Sequence, residues 1–270
     1  MDSFASEPSP KSVPILGVTI HSLTADEALA RLEQLLDERS PHQVATVNPE
    51  FLVLARDDPA FRNALLQADL RLADGTGIVV ASWLLGRPLP CRHPGVDLVV
   101  SLASIAARRS ESIYLLGAGP GVAEQAAAVL VHRFPTLRLA GAEMGPAQGN
   151  HLPKEGEEAL VGRIRASGAS ILLVAFGAPL QETWLARHKQ ALGVPIAIGV
   201  GGSFDVLSGR VPRAPRLMRH LGLEWLFRLV RMPWRWRRQL GRLPRFVALV
   251  LLQALRGPNA WRPDTSTAQS

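Results

Sequence analysis

Short apolar runs alternate with longer stretches of helical period through most of the 270-residue chain. Val44–Val47 reads as a buried strand, followed by helical Pro49–Arg56 and Ala60–Gln67. Leu70–Ala73 is a second short strand that runs into Asp74-Gly75-Thr76-Gly77. Helical period returns over Ile78–Leu85 and Val96–Arg108. Further strands are predicted at Ser112–Leu116, Leu137–Ala140, Ser170–Phe176 and Pro195–Val200, with helices at Val122–Phe134, Glu155–Ser167 and Pro179–Leu192. Compact apolar runs between Gly and Pro suit strands covered on both faces. The alternation predicts an α/β, Rossmann-like fold with a largely parallel sheet and helices on both faces. Right-handed crossovers then gather the carboxyl ends of the strands along one edge.

The pattern changes near residue 213. Arg213–Arg256 is helical in propensity, with breaks expected at Pro215, Pro233 and Pro244. The expected organisation is a disordered lead over 1–12, an α/β catalytic domain over 13–212, a helical Arg/Trp-rich appendage over 213–262 and a disordered tail over 263–270. No internal repeat is present.

Charge sharpens that division. From Arg213 onward there are twelve Arg and no Lys against Glu224 and Asp264, a net +10, while residues 1–212 carry a net −3. Four of the six Trp lie in the same C-terminal stretch. Such a segment suits a polyanion: nucleic acid, an anionic membrane surface or a diphosphate. The longest apolar stretch there, Phe246–Leu255, is about half of a membrane span of ~20 residues. The polar N-terminus lacks the apolar core of a signal peptide, so a cytoplasmic location is expected. Cys91, the single cysteine, excludes an internal disulfide or a multi-cysteine metal site.

Four polar, Gly-bearing strand ends carry the candidate chemistry. Thr46 and Asn48 end the first strand, although Asn48 before Pro49 is also ordinary capping chemistry. Asp74, beside Gly75, is placed as a general base, or sits in a simple Asp-Gly turn. Gln181 and Glu182 open the helix after Gly177, and Ser203 and Asp205 follow Gly201-Gly202. Gly117-Ala118-Gly119-Pro120-Gly121 resembles a dinucleotide loop, with Glu143 about 20 residues on, but Val122 replaces its third glycine. That loop motivates the alternative of an NAD(P)-dependent oxidoreductase. No His pair has zinc spacing, no Walker A lysine loop occurs, and Asp57-Asp58 looks like a helix-joining turn rather than a metal site.

The order of these motifs resembles the WecG/TagA/CpsF glycosyltransferases, glycosyltransferase family 26. The matching text includes Thr46-Val47-Asn48-Pro49-Glu50, Ala68 to Gly77, Arg92-His93-Pro94-Gly95-Val96-Asp97-Leu98 and Tyr114 to Ala118. It continues through Gly177 to Glu182, Gly199 to Gly209, Arg213-Ala214-Pro215 and Gly222 to Leu229. The resemblance implies an inverting, metal-independent transferase without a cofactor. It would move N-acetylmannosamine, its uronic acid or a related hexose from a UDP-sugar to a polyprenyl-diphosphate-linked saccharide at the inner membrane face. Asp74 matches the proposed base, with Thr46 near the transferred sugar or β-phosphate. Asn48, Gly75, Arg92, Gly117, Gln181, Glu182 and Asp205 match or flank pocket positions. Arg213, Arg228 and Arg231 belong to an appendage implied to close over the site and touch anionic membrane; nucleic acid is not an implied partner. Leu180 stands where the family usually has Lys, and Met144 to Gly149 lacks a common aromatic pair, so the sugar is unassigned. Homo-oligomerisation is left open.

Overall fold

All six apolar runs read as strands enter one parallel sheet. The computed structural model describes residues 11–146, 153–220, 222–231 and 236–257. The chain opens with a hairpin, β1 (Ser12–Ile15) and β2 (Val18–His21), then α1 (Ala25–Glu38). The sheet strands are β3 (His42–Val47), β4 (Leu70–Ala73), β5 (Ser112–Gly117), β6 (Arg138–Glu143), β7 (Ile171–Ala175) and β8 (Ile196–Gly199). Their spatial order is β4-β3-β8-β7-β5-β6, and every neighbouring pair is parallel. All residues of β7 and β8 are buried, which explains their unbroken apolar text.

Helices cover both faces. On one face lie α1, α5 (Gly95–Arg109), α6 (Val122–Arg133) and α9 (Ser203–Leu207), with Leu32, Leu102, Leu130 and Phe204 against the strands. On the other, α7 (Lys154–Ala166) and α8 (Leu180–Leu192) pack through Ile164, Trp184 and Leu185. That face continues through α2 (Pro49–Asp57), α3 (Pro59–Gln67) and α4 (Thr76–Leu84), which share a core with the hairpin. Arg71 ties hairpin to sheet: its Nε donates to Thr19 O at 2.7 Å and its backbone N–H to His21 Nδ1 at 2.9 Å.

The C-terminal helices are α10 (Arg216–His220), α11 (Glu224–Arg231) and α12 (Trp236–Arg256). α12 runs through Pro244, where a break was expected. Phe246 and Val250, both buried, hold it against the body beyond that proline. Pro233 and residues 263–270 lie outside the described residues, as does the expected disordered lead apart from residues 11 and 12, and Ser12 already belongs to β1. Among the described residues, no helix is long and apolar enough to cross a membrane.

Candidate active site

Asn48 and Asp74 emerge side by side because β3 and β4 run in register, Val47 beside Ala73. Asp74 N donates to Val47 O at 2.7 Å, which ties the two loops together. Asn48 has both roles considered for it. Its Oδ1 caps α2 by accepting from Phe51 N at 3.1 Å, and the residue also lines a cleft of about 700 Å³. Asp74, Gly75, Thr76, Glu50 and Arg92 share that cleft. The rest of its wall is largely apolar: Val80, Ala81 and Leu84 of α4, Val96 of α5, Trp225 of α11, and Leu243, Pro244, Phe246, Val247 and Val250 of α12. Gly75 is the N-cap residue of α4, so that helix starts directly after the Asp74 carboxylate.

Two side chains at the strand edge hold the C-terminal helices over this cleft. Thr76 Oγ1 donates to Gly222 O at 2.8 Å. Arg92 donates to Arg219 O at 2.5 Å and lies 3.5 Å from the buried Glu224 carboxylate. Arg92, expected in the donor pocket, therefore lines the cleft with its guanidinium engaged by the α10–α11 segment. A Cβ at Gly222 would collide with Thr76 Oγ1, so the loop approaches this closely only because residue 222 has no side chain. Farther along, Arg245 makes a two-pronged ion pair with Asp57 at 2.5 and 2.6 Å, which holds that carboxyl below its ordinary range. Asp58 caps α3 by accepting from Phe61 N at 3.0 Å, so the Asp57-Asp58 pair is structural.

Of the other expected site residues, Ser203 also lines the cleft, buried and with its hydroxyl donating to Val200 O at 2.6 Å; the rest are not part of the cleft lining. Thr46 is buried, and its hydroxyl donates to Gly199 O at 3.2 Å, bridging β3 to β8. Gln181 and Glu182 are also buried. Gln181 Oε1 accepts from Gly177 N and Gly201 N, both at 3.1 Å, which joins the loops after β7 and β8. Its Nε2 donates to Glu182 Oε1 at 2.6 Å. Burial pushes the Glu182 carboxyl up to about 8, so it is largely protonated at neutral pH. Thr46 thus meets a backbone carbonyl, Gln181 two backbone N–H groups and Glu182 the neighbouring amide.

Gly117 packs its Cα directly on the Ala175 backbone, where a Cβ would stand 2.8 Å from that carbonyl carbon. Arg210 donates to Pro120 O at 2.8 Å in the same loop. Glu143 accepts from Tyr114 OH at 2.6 Å and pairs with Arg163 at 3.2 Å. Both features behind the dinucleotide reading thus have structural employment. Asp205 sits on α9, where its backbone carbonyl accepts from Val211 N at 2.9 Å. Arg213 pairs with Asp97 at 2.6 Å. Arg231 is exposed, 5.8 Å from the Phe227 ring centroid. Arg228 lies on α11, but its side chain is outside the described residues.

Sequence reading missed the fastening of Thr76 to Gly222 and the extent of the α12 wall. The signals were present: Thr76 stands inside the Asp-Gly-Thr-Gly motif, and Gly222 interrupts an otherwise helical tail. Among the described residues, no group of three or more His, Cys, Asp or Glu is placed to hold a metal ion.

A carboxylate at the carboxyl edge of a parallel sheet, facing a roofed cleft, defines an α/β enzyme of the ligand-at-strand-ends type. Residues 13–260 match the family described as Glycosyl transferase WecG/TagA/CpsF, and the chain belongs to that family. Among its relatives is the N-acetylglucosaminyldiphosphoundecaprenol N-acetyl-beta-D-mannosaminyltransferase of Bacillus spizizenii, 34% identical over 216 residues, covering 80% of this chain and 81% of that protein. The Bacillus subtilis protein of the same name is 32% identical over 216 residues, with the same coverage of 80% and 81%. That of Staphylococcus aureus is 32% identical over 233 residues, covering 86% and 87%.

Proposed function

We propose that this chain transfers a hexose, N-acetylmannosamine or a close relative, from a UDP-sugar to a saccharide carried on polyprenyl diphosphate, in the synthesis of a cell-envelope polymer. The observation that carries the reading is Asp74. It lines the cleft at the strand edge, next to Asn48 and beneath the C-terminal helices. In this reading the acceptor hydroxyl attacks the anomeric carbon while its proton passes to the Asp74 carboxylate. The bond from that carbon to the UDP oxygen breaks, and UDP departs with inversion at the sugar. Arg92 and the tail arginines, among them Arg213, Arg228 and Arg231, supply positive charge toward the leaving diphosphate. No metal takes part. The names of the relatives support the acceptor class, and the +10 C-terminal stretch supports residence on the inner face of the membrane.

The test is UDP release from UDP-N-acetylmannosamine and related UDP-hexoses, with a synthetic N-acetylglucosaminyl diphospholipid as acceptor and EDTA present. Release that requires the acceptor supports the reading. Acceptor-independent hydrolysis, or dependence on added divalent metal, overturns it in that form.

A further inference from the structure

The cleft does not end at its polar residues. α4 leaves the Asp74 loop carrying Val80, Trp83 and Leu84, which are 44%, 64% and 52% exposed. Hydrophobic side chains this exposed, grouped on one short helix, normally mark an interaction site. α12 carries a matching row, Val247, Leu251 and Leu255, at 52%, 46% and 86%. Spacing of four residues puts that row on one face over about 12 Å of helix. The two helices are packed together: a Cβ on Gly77 would lie 3.8 Å from the Phe246 ring, and Val80, Leu84 and Val247 line the cleft itself. Both helices continue to the hairpin, which α12 grips through Gln253 and against which α4 packs.

One apolar track therefore begins beside the Asp74 carboxylate and runs outward to the surface. It has the polarity order of a molecule with a polar head and a hydrocarbon tail. A bilayer alone would explain the exposed rows, but not their continuity with the interior of the cleft. A second copy of the chain would cover the exposed rows, but would not account for a groove opening onto the Asp74 loop.

We infer that the groove between α4 and α12 binds the first isoprenoid units of the acceptor lipid, so that the hydrocarbon chain, and not only its sugar and diphosphate, is recognised by protein. This rests on the function proposed above and assigns the lipid part of that substrate. It gives Trp83 and Leu251 a role in selecting acceptors by chain.

The experiment compares two acceptors bearing the same saccharide diphosphate in neutral detergent, one with a long polyprenyl chain and one with a short, water-soluble alkyl chain. Wild-type protein is expected to show a clear preference in kcat/KM for the long chain. In the Trp83→Ser/Leu251→Ser double variant, the ratio of long-chain to short-chain kcat/KM should fall about tenfold, the scale of losing a few buried methylene contacts. A photoreactive group on the first isoprene unit should crosslink to α4 or α12 peptides. Equal use of both acceptors by wild type, or an unchanged ratio in the double variant, overturns the groove while leaving the transferase reading intact. No transfer to either acceptor overturns the transferase reading itself. A double variant that loses only vesicle binding, or only self-association by light scattering, with its ratio unchanged, reassigns the surface to bilayer or to a second copy and also overturns the groove. Thermal melting of the variant confirms that it is folded.

Discussion

Gln253 and Leu16, 237 residues apart, share a buried hydrogen bond: Leu16 N donates to Gln253 Oε1 at 2.9 Å. The other end of the same amide donates to Pro14 O at 3.1 Å. One side chain on the last helix thus satisfies two backbone groups of the N-terminal hairpin, and Gln253 itself has no exposed surface. Replacing Gln253 with Leu removes the partner of the buried Leu16 N–H and of the half-buried Pro14 carbonyl. The expected cost is roughly 1–3 kcal/mol for the buried N–H. It should appear as a lower Tm, together with faster proteolytic cleavage within α12.

Asp74→Asn keeps the backbone bond from residue 74 to Val47 O and the volume of the side chain. It removes the proton acceptor. Turnover should fall by roughly 10²–10⁴, the usual contribution of a positioned general base, while Tm changes little. Near wild-type turnover in the Asp74→Asn variant would show that the proton goes elsewhere.

Gly222→Ala tests the fastening of the roof. Its φ of +72° disfavours a side chain, and the new methyl would strike Thr76. The loop must withdraw, taking Glu224 and Trp225 from the cleft wall. The expected result is at least a tenfold loss of kcat/KM on the scale of about 1.4 kcal/mol, with the melting of the sheet domain nearly unchanged. Thr76→Val, which deletes only the hydrogen bond, should have a milder effect in the same direction.

Glu182 gives a pH signature. The folded state holds its proton up to about pH 8, whereas the unfolded chain releases it near 4.5. Stability from this group is therefore fully present below 4.5 and is lost as pH rises toward 8. Glu182→Gln preserves an acceptor for Gln181 Nε2 and has nothing to ionise. It should raise Tm by a few degrees at pH 8, on the order of 1–2 kcal/mol. The advantage should shrink as pH falls to 4.5. A flat difference across that range would show that burial is not setting this carboxyl.

His21 works in the opposite direction. Burial, aided by the neighbouring Arg71 charge, lowers it to about 4 while its Nδ1 accepts from Arg71 N. Unfolded chains bind a proton below pH 6.5, and the native chain does so only near 4. Stability should therefore fall as the solution is acidified through that interval. His21→Asn, whose Oδ1 can replace the ring acceptor, should flatten this part of the Tm profile.

The sheet was legible in the sequence because strands covered on both faces leave unbroken apolar text, as in β7 and β8. Asp74 and Asn48 were legible because their strands end in turn-forming residues at the edge where ligands bind. The partners of Gln181 and Glu182 were not legible: polar residues opening a helix look the same in sequence whatever they face, and here Gln181 accepts from Gly177 N and Gly201 N while Glu182 accepts from Gln181. The β1–β2 hairpin escaped notice because each strand has four residues and its turn is Leu16-Gly17, without the Asn or Asp of the commonest two-residue turns. Arg92 lines the cleft, but its engagement by Arg219 O and Glu224 was not legible, because it depends on residues more than a hundred positions away.

The place of β8 has a consequence for how the protein is made. Among the described residues it is the last strand of the sheet in sequence, and it alone joins β3 and β4 to β7, β5 and β6. Until Ile196–Gly199 leave the ribosome, the nascent chain holds two sheet fragments, each with an open, apolar edge. Partners so distant in sequence pair slowly, and waiting edges are prone to association. Synthesis of this protein therefore passes through an interval in which five of these six strands exist with no complete sheet. A pause or truncation within that interval would leave an aggregation-prone fragment instead of a smaller enzyme.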